Sequence, residues 1–213
     1  MQVLVAYESS GTVREAFRNL GHQAWSCDLQ PADDGSKFHL TMDAKKAITM
    51  RLAAQDHWDL IIMHPPCTAL AVSGNAHYGR NMRKYAQRLE AIKYTIEMFD
   101  LAKSNAKFVC MENPVGVLPI KASQYIQPYE HGHSDSKKTG LWLHNLPKLE
   151  PTDVIIKPER GYWDNQTPSG QNKLGPSSDR WKIRSKTYEG IANAMAQQWS
   201  QYLTGGSNAT NKN

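Results

Sequence analysis

The sequence predicts an α/β fold: a doubly wound, mostly parallel sheet carrying a small irregular insertion. Three observations lead there. Short apolar runs alternate with helical patterns as far as residue 114. Two of those runs end in proline-bearing turns, Pro65-Pro66-Cys67 and Glu112-Asn113-Pro114. Residues 146–184 then lose all periodicity and become rich in Pro, Gly, Asn, Gln, Ser and Lys.

The first run, Gln2 to Tyr7, reads as a strand. Ser9 or Ser10 is placed to cap a helix from about Thr12 to Leu20, with Gly21 as its stop. A second strand, His22 to Cys27, ends at Asp28, and residues 29–42 read as a polar connection. A helix near Ala44–Ala53 leads into the strand 58–63. His64-Pro65-Pro66 cannot continue that strand inside a ladder, because proline has no N–H to donate. The chain therefore leaves the sheet and delivers Cys67 at a strand's carboxyl end, where open α/β sheets bind ligands. A thiol at that place is a candidate nucleophile.

A loop over 68–81 precedes a long helix whose predicted core stripe is Tyr85, Leu89, Ile92, Ile96 and Phe99. Phe108 to Met111 is the next buried strand, ending at Glu112. In a parallel sheet, Cys67 and Glu112 share one rim. Tyr125–Tyr129 and Leu141–Leu143 read as strands of a hairpin-like extension. A last helix is expected from Thr187 to Leu203, with Gly205–Asn213 as a disordered tail. The catalytic domain is thus 1–145 with 185–204, interrupted by the insertion 146–184.

Composition narrows the classes. No run of about 18 apolar residues suggests a membrane span, and no secretory signal pattern precedes the first strand. Three cysteines without metal-like spacing suit free thiols in a reducing cytoplasm. Cys27 and Cys110 read as core residues. His64, His131 and His133 do not carry a zinc pattern, so no metal is expected. A net charge of +5 is compatible with a polyanionic partner. Arg80, Arg83, Lys84 and Arg88 form either a solvated helix face or phosphate contacts. Trp163, beside Tyr162, reads as a loop anchor in preference to a base-stacking group.

A thiolate beside a carboxyl group suits covalent attack on an electron-poor ring that must also be protonated. With that pair in place, the ordered motifs resemble those of the DNA cytosine-5 methyltransferase family. Tyr7-Glu8-Ser9-Ser10-Gly11-Thr12 resembles its first motif, a turn before a helix. Asp28 and Asp43 stand where its next acidic residues are expected. Pro65-Pro66-Cys67 is similar to its nucleophile motif, and Met111-Glu112-Asn113-Pro114 to its Glu-Asn motif. Gly132 to Lys138 resembles a reduced basic motif, and Gly190 to Met195 the last motif.

The resemblance implies a class I, Rossmann-like fold, S-adenosylmethionine as methyl donor and cytosine in DNA as target. Catalysis would fall to Cys67, Glu112, Lys137 and Lys138. The donor would meet Tyr7, Glu8, Ser9, Gly11, Asp28, Asp43, Pro65 and Asn193. The chain also departs from the family. Gly11 is the only glycine of the first motif, with Ser9 and Thr12 at other glycine positions. Lysines replace arginines in the basic motif, and Ala192 replaces a glycine. The stretch 146–184 is short for a target-recognition region, which points to low or unusual specificity or to a second subunit. Two other readings stay open: an enzyme acting on free cytosine nucleotides or single strands, and a catalytically idle relative that binds DNA or a protein.

Overall fold

The computed structural model describes residues 1–50 and 57–205. The strands are β1 (Gln2–Ala6), β2 (Gln23–Asp28), β3 (His39–Thr41), β4 (Trp58–Met63), β5 (Ala106–Pro114), β6 (Gln124–Ile126) and β7 (Thr139–His144). The helices are α1 (Thr12–Asn19), α2 (Ala44–Thr49), α3 (Asn75–Tyr78), α4 (Tyr85–Asn105), α5 (Arg180–Ser185) and α6 (Glu189–Gly205). The seven strands form one sheet in the order β3-β2-β1-β4-β5-β7-β6. Neighbours from β3 to β5 are parallel, and β7 runs antiparallel to both β5 and β6. This is a doubly wound, Rossmann-like arrangement. No described helix is long and apolar enough to cross a membrane.

Alternation along the strands builds two apolar layers. Val3, Val5, Leu60, Ile62 and Cys110 pack with α1 and α6 on one face. Leu4, Ala6, Ile61, Met63, Val109 and Met111 pack with α2 and α4 on the other. Both faces of the central strands are covered, which explains their unbroken apolar runs. Indole nitrogens inside these layers find carbonyls: Trp58 Nε1 donates to Ala47 O at 3.0 Å and Trp199 Nε1 to Pro147 O at 3.1 Å.

Several expectations need correction. The hairpin-like extension is instead the antiparallel edge of the main sheet, because β7 pairs along β5, with Glu112 opposite Leu141. The first expected strand, Tyr125–Tyr129, is shortened: β6 is Gln124–Ile126, and Pro128–Glu130 is a 3-10 turn. The connection 29–42 holds the edge strand β3. The insertion ends in α5, which its polar composition concealed. The expected α2 helix beyond Met50, and the tail beyond Gly205, lie outside the described residues.

The stripe of α4 is also displaced. Leu89 is exposed, and the buried positions are Arg88, Thr95, Met98, Phe99 and Ala102. Arg88 is the reason. Its guanidinium donates to Ala69 O at 2.7 Å, to Asn75 Oδ1 at 2.8 Å and to Ala71 O at 3.4 Å. The helix turns this charged residue inward to hold the loop after Cys67, so Arg88 is neither a solvated residue nor a phosphate contact. Arg88→Met removes all three bonds from a buried side chain and releases the loop. We expect a loss of about 2 kcal/mol in urea unfolding; an unchanged midpoint would contradict this role.

Candidate active site

Strand order fixes where a ligand belongs. The chain runs from β1 to one side through β2 and β3, then returns to the other side at β4. The crevice of such a sheet lies outside the carboxyl ends at that switch, between β1 and β4. The turns that follow these strands are Tyr7–Gly11 and His64–Cys67.

The β4–β5 register, with Met63 opposite Met111, brings the second turn alongside Glu112. Neighbouring backbone bonds then lock the two rims together. Asn113 Nδ2 donates to Pro65 O at 3.1 Å. Val72 N donates to Val115 O at 3.2 Å and Val117 N to Leu70 O at 3.0 Å. Gly116 permits this approach, since a β-carbon there would lie 2.5 Å from Leu70 O.

Cys67 is the only described cysteine that is not fully buried. Burial pushes its thiol above the ordinary range, and the Glu112 charge pushes it further. Lys137 and Arg184 pull the other way without reversing the shift. Cys67 therefore rests as a thiol. Burial raises the Cys110 thiol well above its ordinary value, and moves that of Cys27 to about 12, as core residues.

Glu112 is 17% exposed. Burial raises its carboxyl, but the hydrogen bond and charge of His64, together with Lys137, outweigh burial and hold it below the usual value. His64 Nδ1 lies 3.2 Å from Glu112 Oε2. Among the described residues, two buried side-chain polar atoms have no partner: His64 Nε2 and Asn113 Oδ1. The first lies in the turn after β4 and the second beside Glu112 near the end of β5. Orphans at such a place point to a ligand that would complete them.

The two lysines separate. Lys137 lines a cleft with Glu112, Thr139, Tyr188 and Ile191. Its ammonium donates to Arg184 O at 2.8 Å and Lys186 O at 3.4 Å. Lys138 is exposed against the Tyr125 ring, 4.8 Å from its centre, and takes no part in the cleft. Arg184 was not anticipated, because it lies in the aperiodic insertion. His64 was weighed only as a metal ligand. The three histidines in fact have separate partners: His131 faces Thr152 Oγ1 at 3.1 Å, and His133 Nε2 accepts from Gly190 N at 3.0 Å. A wider cavity lined by Thr49, His57 and Asn105 opens at the opposite ends of β4 and β5 and carries no comparable pair.

At the turn after β1, Gly11 adopts φ 73° as the N-cap of α1, and Tyr7 is held at φ 62°. Left-handed backbone at a non-glycine residue marks a strained turn of the kind found at ligand sites. Glu8 is 5% exposed, and its carboxylate accepts Val13 N at 2.7 Å and Arg14 N at 3.3 Å. It closes the open end of α1 and is not a free ligand group, which corrects its expected role. Ser9 O accepts Asp33 N at 2.8 Å. Fully buried Arg14 donates to Ser26 Oγ at 2.8 Å and pairs with Asp34, so the loop after β2 is tied over the turn.

Asp28 stands at the end of β2 and accepts Gln30 N at 2.9 Å through one oxygen. Asp43 is the N-cap of α2, accepting Lys45 N at 2.9 Å. Its charge also acts on the Tyr7 hydroxyl, which sits 2.9 Å from Tyr94 Oη. Pro65 is buried, with its carbonyl engaged by Asn113, and Asn193 is exposed on α6. Trp163 stacks on Tyr129 at 4.5 Å and anchors the insertion.

No family model and no curated protein matches the sequence. Among solved structures, the chain is similar to the Dnmt2 methyltransferase of S. pombe, at 17% identity and TM-score 0.44, over 70% of this chain and 51% of that one. It is similar to a SAM-dependent methyltransferase of Neisseria gonorrhoeae at 12% identity and TM-score 0.40, covering 68% and 63%. It is similar to a Spodoptera frugiperda DNMT2 mutant at 17% identity and TM-score 0.42, covering 74% and 55%. The chain thus spans between half and two-thirds of these proteins' lengths. The fold assignment rests on the strand order described above.

Glu112→Gln removes the charge that opposes ionisation of Cys67. The sign is direct: an acid whose ionisation is disfavoured loses its proton at higher pH, so removing the cause lowers that pH. At pH 8, iodoacetamide should label Cys67 about threefold faster in the variant, as read by peptide mass analysis. Equal or slower labelling would contradict the coupling.

Proposed function

We propose that the protein is an S-adenosylmethionine-dependent methyltransferase that modifies carbon 5 of cytosine in DNA through a covalent Cys67 adduct. The observation that carries this reading is the pairing of a partly exposed thiol with a carboxyl group at adjacent strand ends, the carboxylate charge opposing ionisation of the thiol. Cytosine becomes nucleophilic at carbon 5 only after a nucleophile adds at carbon 6 while nitrogen 3 is protonated. Cys67 Sγ forms the bond to carbon 6, and Glu112 delivers the proton to nitrogen 3. Lys137, which lines a cleft with Glu112, steadies the carboxylate between turnovers.

The donor side fits in part. Asp28 would accept hydrogen bonds from ribose hydroxyls, and the turn Tyr7, Ser9, Gly11 would pass close beneath the ligand. Asp43, Pro65 and Asn193 would border it, whereas Glu8 would act through α1. When bound, S-adenosylmethionine supplies an electrophilic methyl group on a positively charged sulfur.

Several features support a polynucleotide target. The segment around α5 carries Arg180, Lys182, Arg184 and Lys186, and the Arg184 charge reaches Cys67. Trp181 is 62% exposed and three residues from Arg184, hence on the same side of the helix. Phosphate-binding cations beside an open aromatic ring suit a strand with an unstacked base. The insertion 146–184 would serve as a reduced target-recognition region, with a second subunit as an alternative source of specificity. The same α5 surface favours a second reading in which single strands or free cytosine nucleotides are the substrate.

Tritiated donor with duplex, single-stranded and mononucleotide substrates separates these readings. We expect label in 5-methylcytosine of DNA, and none after Cys67→Ala, while calorimetry still detects donor binding. Full activity in Cys67→Ala would remove the mechanism. Label confined to mononucleotides would favour the second reading. Absence of donor binding in the wild type would leave an idle relative.

A further inference from the structure

His64 deepens the reading of this site and rests on it. The residue precedes the proline pair, its side chain is 9% exposed, and its Nδ1 faces Glu112 Oε2 at 3.2 Å. A carboxylate accepts hydrogen bonds only, so Nδ1 carries the proton. Its backbone N–H donates to Ala6 O at 3.0 Å, which fixes the residue against β1 as well as β5. The ring therefore stands between the donor-side turn and the acid, with Nε2 buried and unpartnered among the described residues.

We infer that His64 is the positioning residue for Glu112, holding Oε2 through Nδ1–H so that Oε1 serves the pyrimidine. In the addition step the Cys67 S–H bond breaks and its proton passes to Oε1. The Sγ–C6 bond forms as the C5–C6 π bond breaks, and Oε1–H gives its proton to nitrogen 3. The thiol proton ends on the ring, no outside acid is consumed, and His64 retains Nδ1–H throughout. The charged and titratable groups around this assembly are Glu112 on β5, Glu8 after β1, Arg14 on α1, Cys67, Lys137 before β7 and Arg184 on α5.

Two variants separate positioning from filling space. The amide of His64→Asn stands near Nδ1 and donates without titrating. His64→Leu fills the volume and donates nothing. In protein carrying 13C-labelled glutamate carboxyls, the Glu112 resonance is assigned by its loss in Glu112→Gln. We expect the Glu112 midpoint to rise by about one pH unit in His64→Leu and to stay near wild type in His64→Asn. Methyl transfer should fall about tenfold or more in kcat for His64→Leu, with KM little changed, and recover most of that in His64→Asn. Should His64→Leu fail to fold, His64→Gln replaces it with the same expected loss, because its amide reaches the Nε2 position and not Nδ1. Equal behaviour of the donating and non-donating variants, or an unmoved Glu112 titration, would overturn the inference. Wild-type protein that transfers no methyl group overturns the methyl-transfer reading alone, since the carboxyl titration needs no turnover.

Discussion

The parallel pairing of β4 with β5 is the constraint on which the site depends. Its register sets Met63 beside Met111, and both strands meet proline within a few residues. β4 ends two residues before Pro65, whereas β5 runs on to Pro114 with Glu112 still paired opposite Leu141, so the turn carrying Cys67 lies alongside the end of β5. A shift of one residue would turn Glu112 to the opposite face of the sheet. The side-chain amide of Asn113 and the backbone bonds between 70–72 and 115–117 then hold the two turns as one unit. The chemistry follows from that placement. Burial makes the thiol reluctant to ionise, while His64 and Lys137 keep the neighbouring carboxyl charged.

Buried charge organises the surroundings. Arg88 braces the loop after Cys67 from beneath. Glu8 closes α1, and Arg14 draws the loop after β2 over the first turn. Lys182 pairs with Asp33 at 2.7 Å, joining that loop to α5. Lys137 grips carbonyls at the C-terminal end of α5. Arg88, Glu8 and Arg14 are buried and are held by hydrogen bonds to backbone or to an opposite charge, the condition under which buried charge is tolerated, while Lys182 and Lys137 act nearer the surface. The result links the turn after β1, the insertion and the Cys67 rim through polar contacts, where apolar packing alone would leave the loops free.

The sheet and its central strands were legible because apolar runs bounded by turns have few alternatives. Cys67 and Glu112 were legible because proline marks the end of each strand. Lys137 and Lys138 were indistinguishable, since only the direction of β7 decides which faces the cleft. The position of β7, between β5 and the edge strand β6, was hidden for a related reason: antiparallel return to β5 is a tertiary choice that its own residues do not record. Arg88 misled the helical stripe, because a pattern of apolar residues cannot register a charged residue facing inward. Glu8 looked like a ligand group, and only the geometry of α1 shows it as a helix cap. His64 and Arg184 escaped notice because their importance lies in neighbours distant in sequence.

The central claim is that Cys67 and Glu112 act on a single pyrimidine. A cytosine bearing fluorine at carbon 5 tests it, because an adduct methylated there has no proton to lose and cannot be released. Intact-mass analysis after incubation with donor and an oligonucleotide containing that base should show protein, oligonucleotide and one methyl group joined, with the link mapping to Cys67 and the yield collapsing in Glu112→Gln. An adduct at another residue, or none in protein shown to bind both donor and oligonucleotide, would contradict the account.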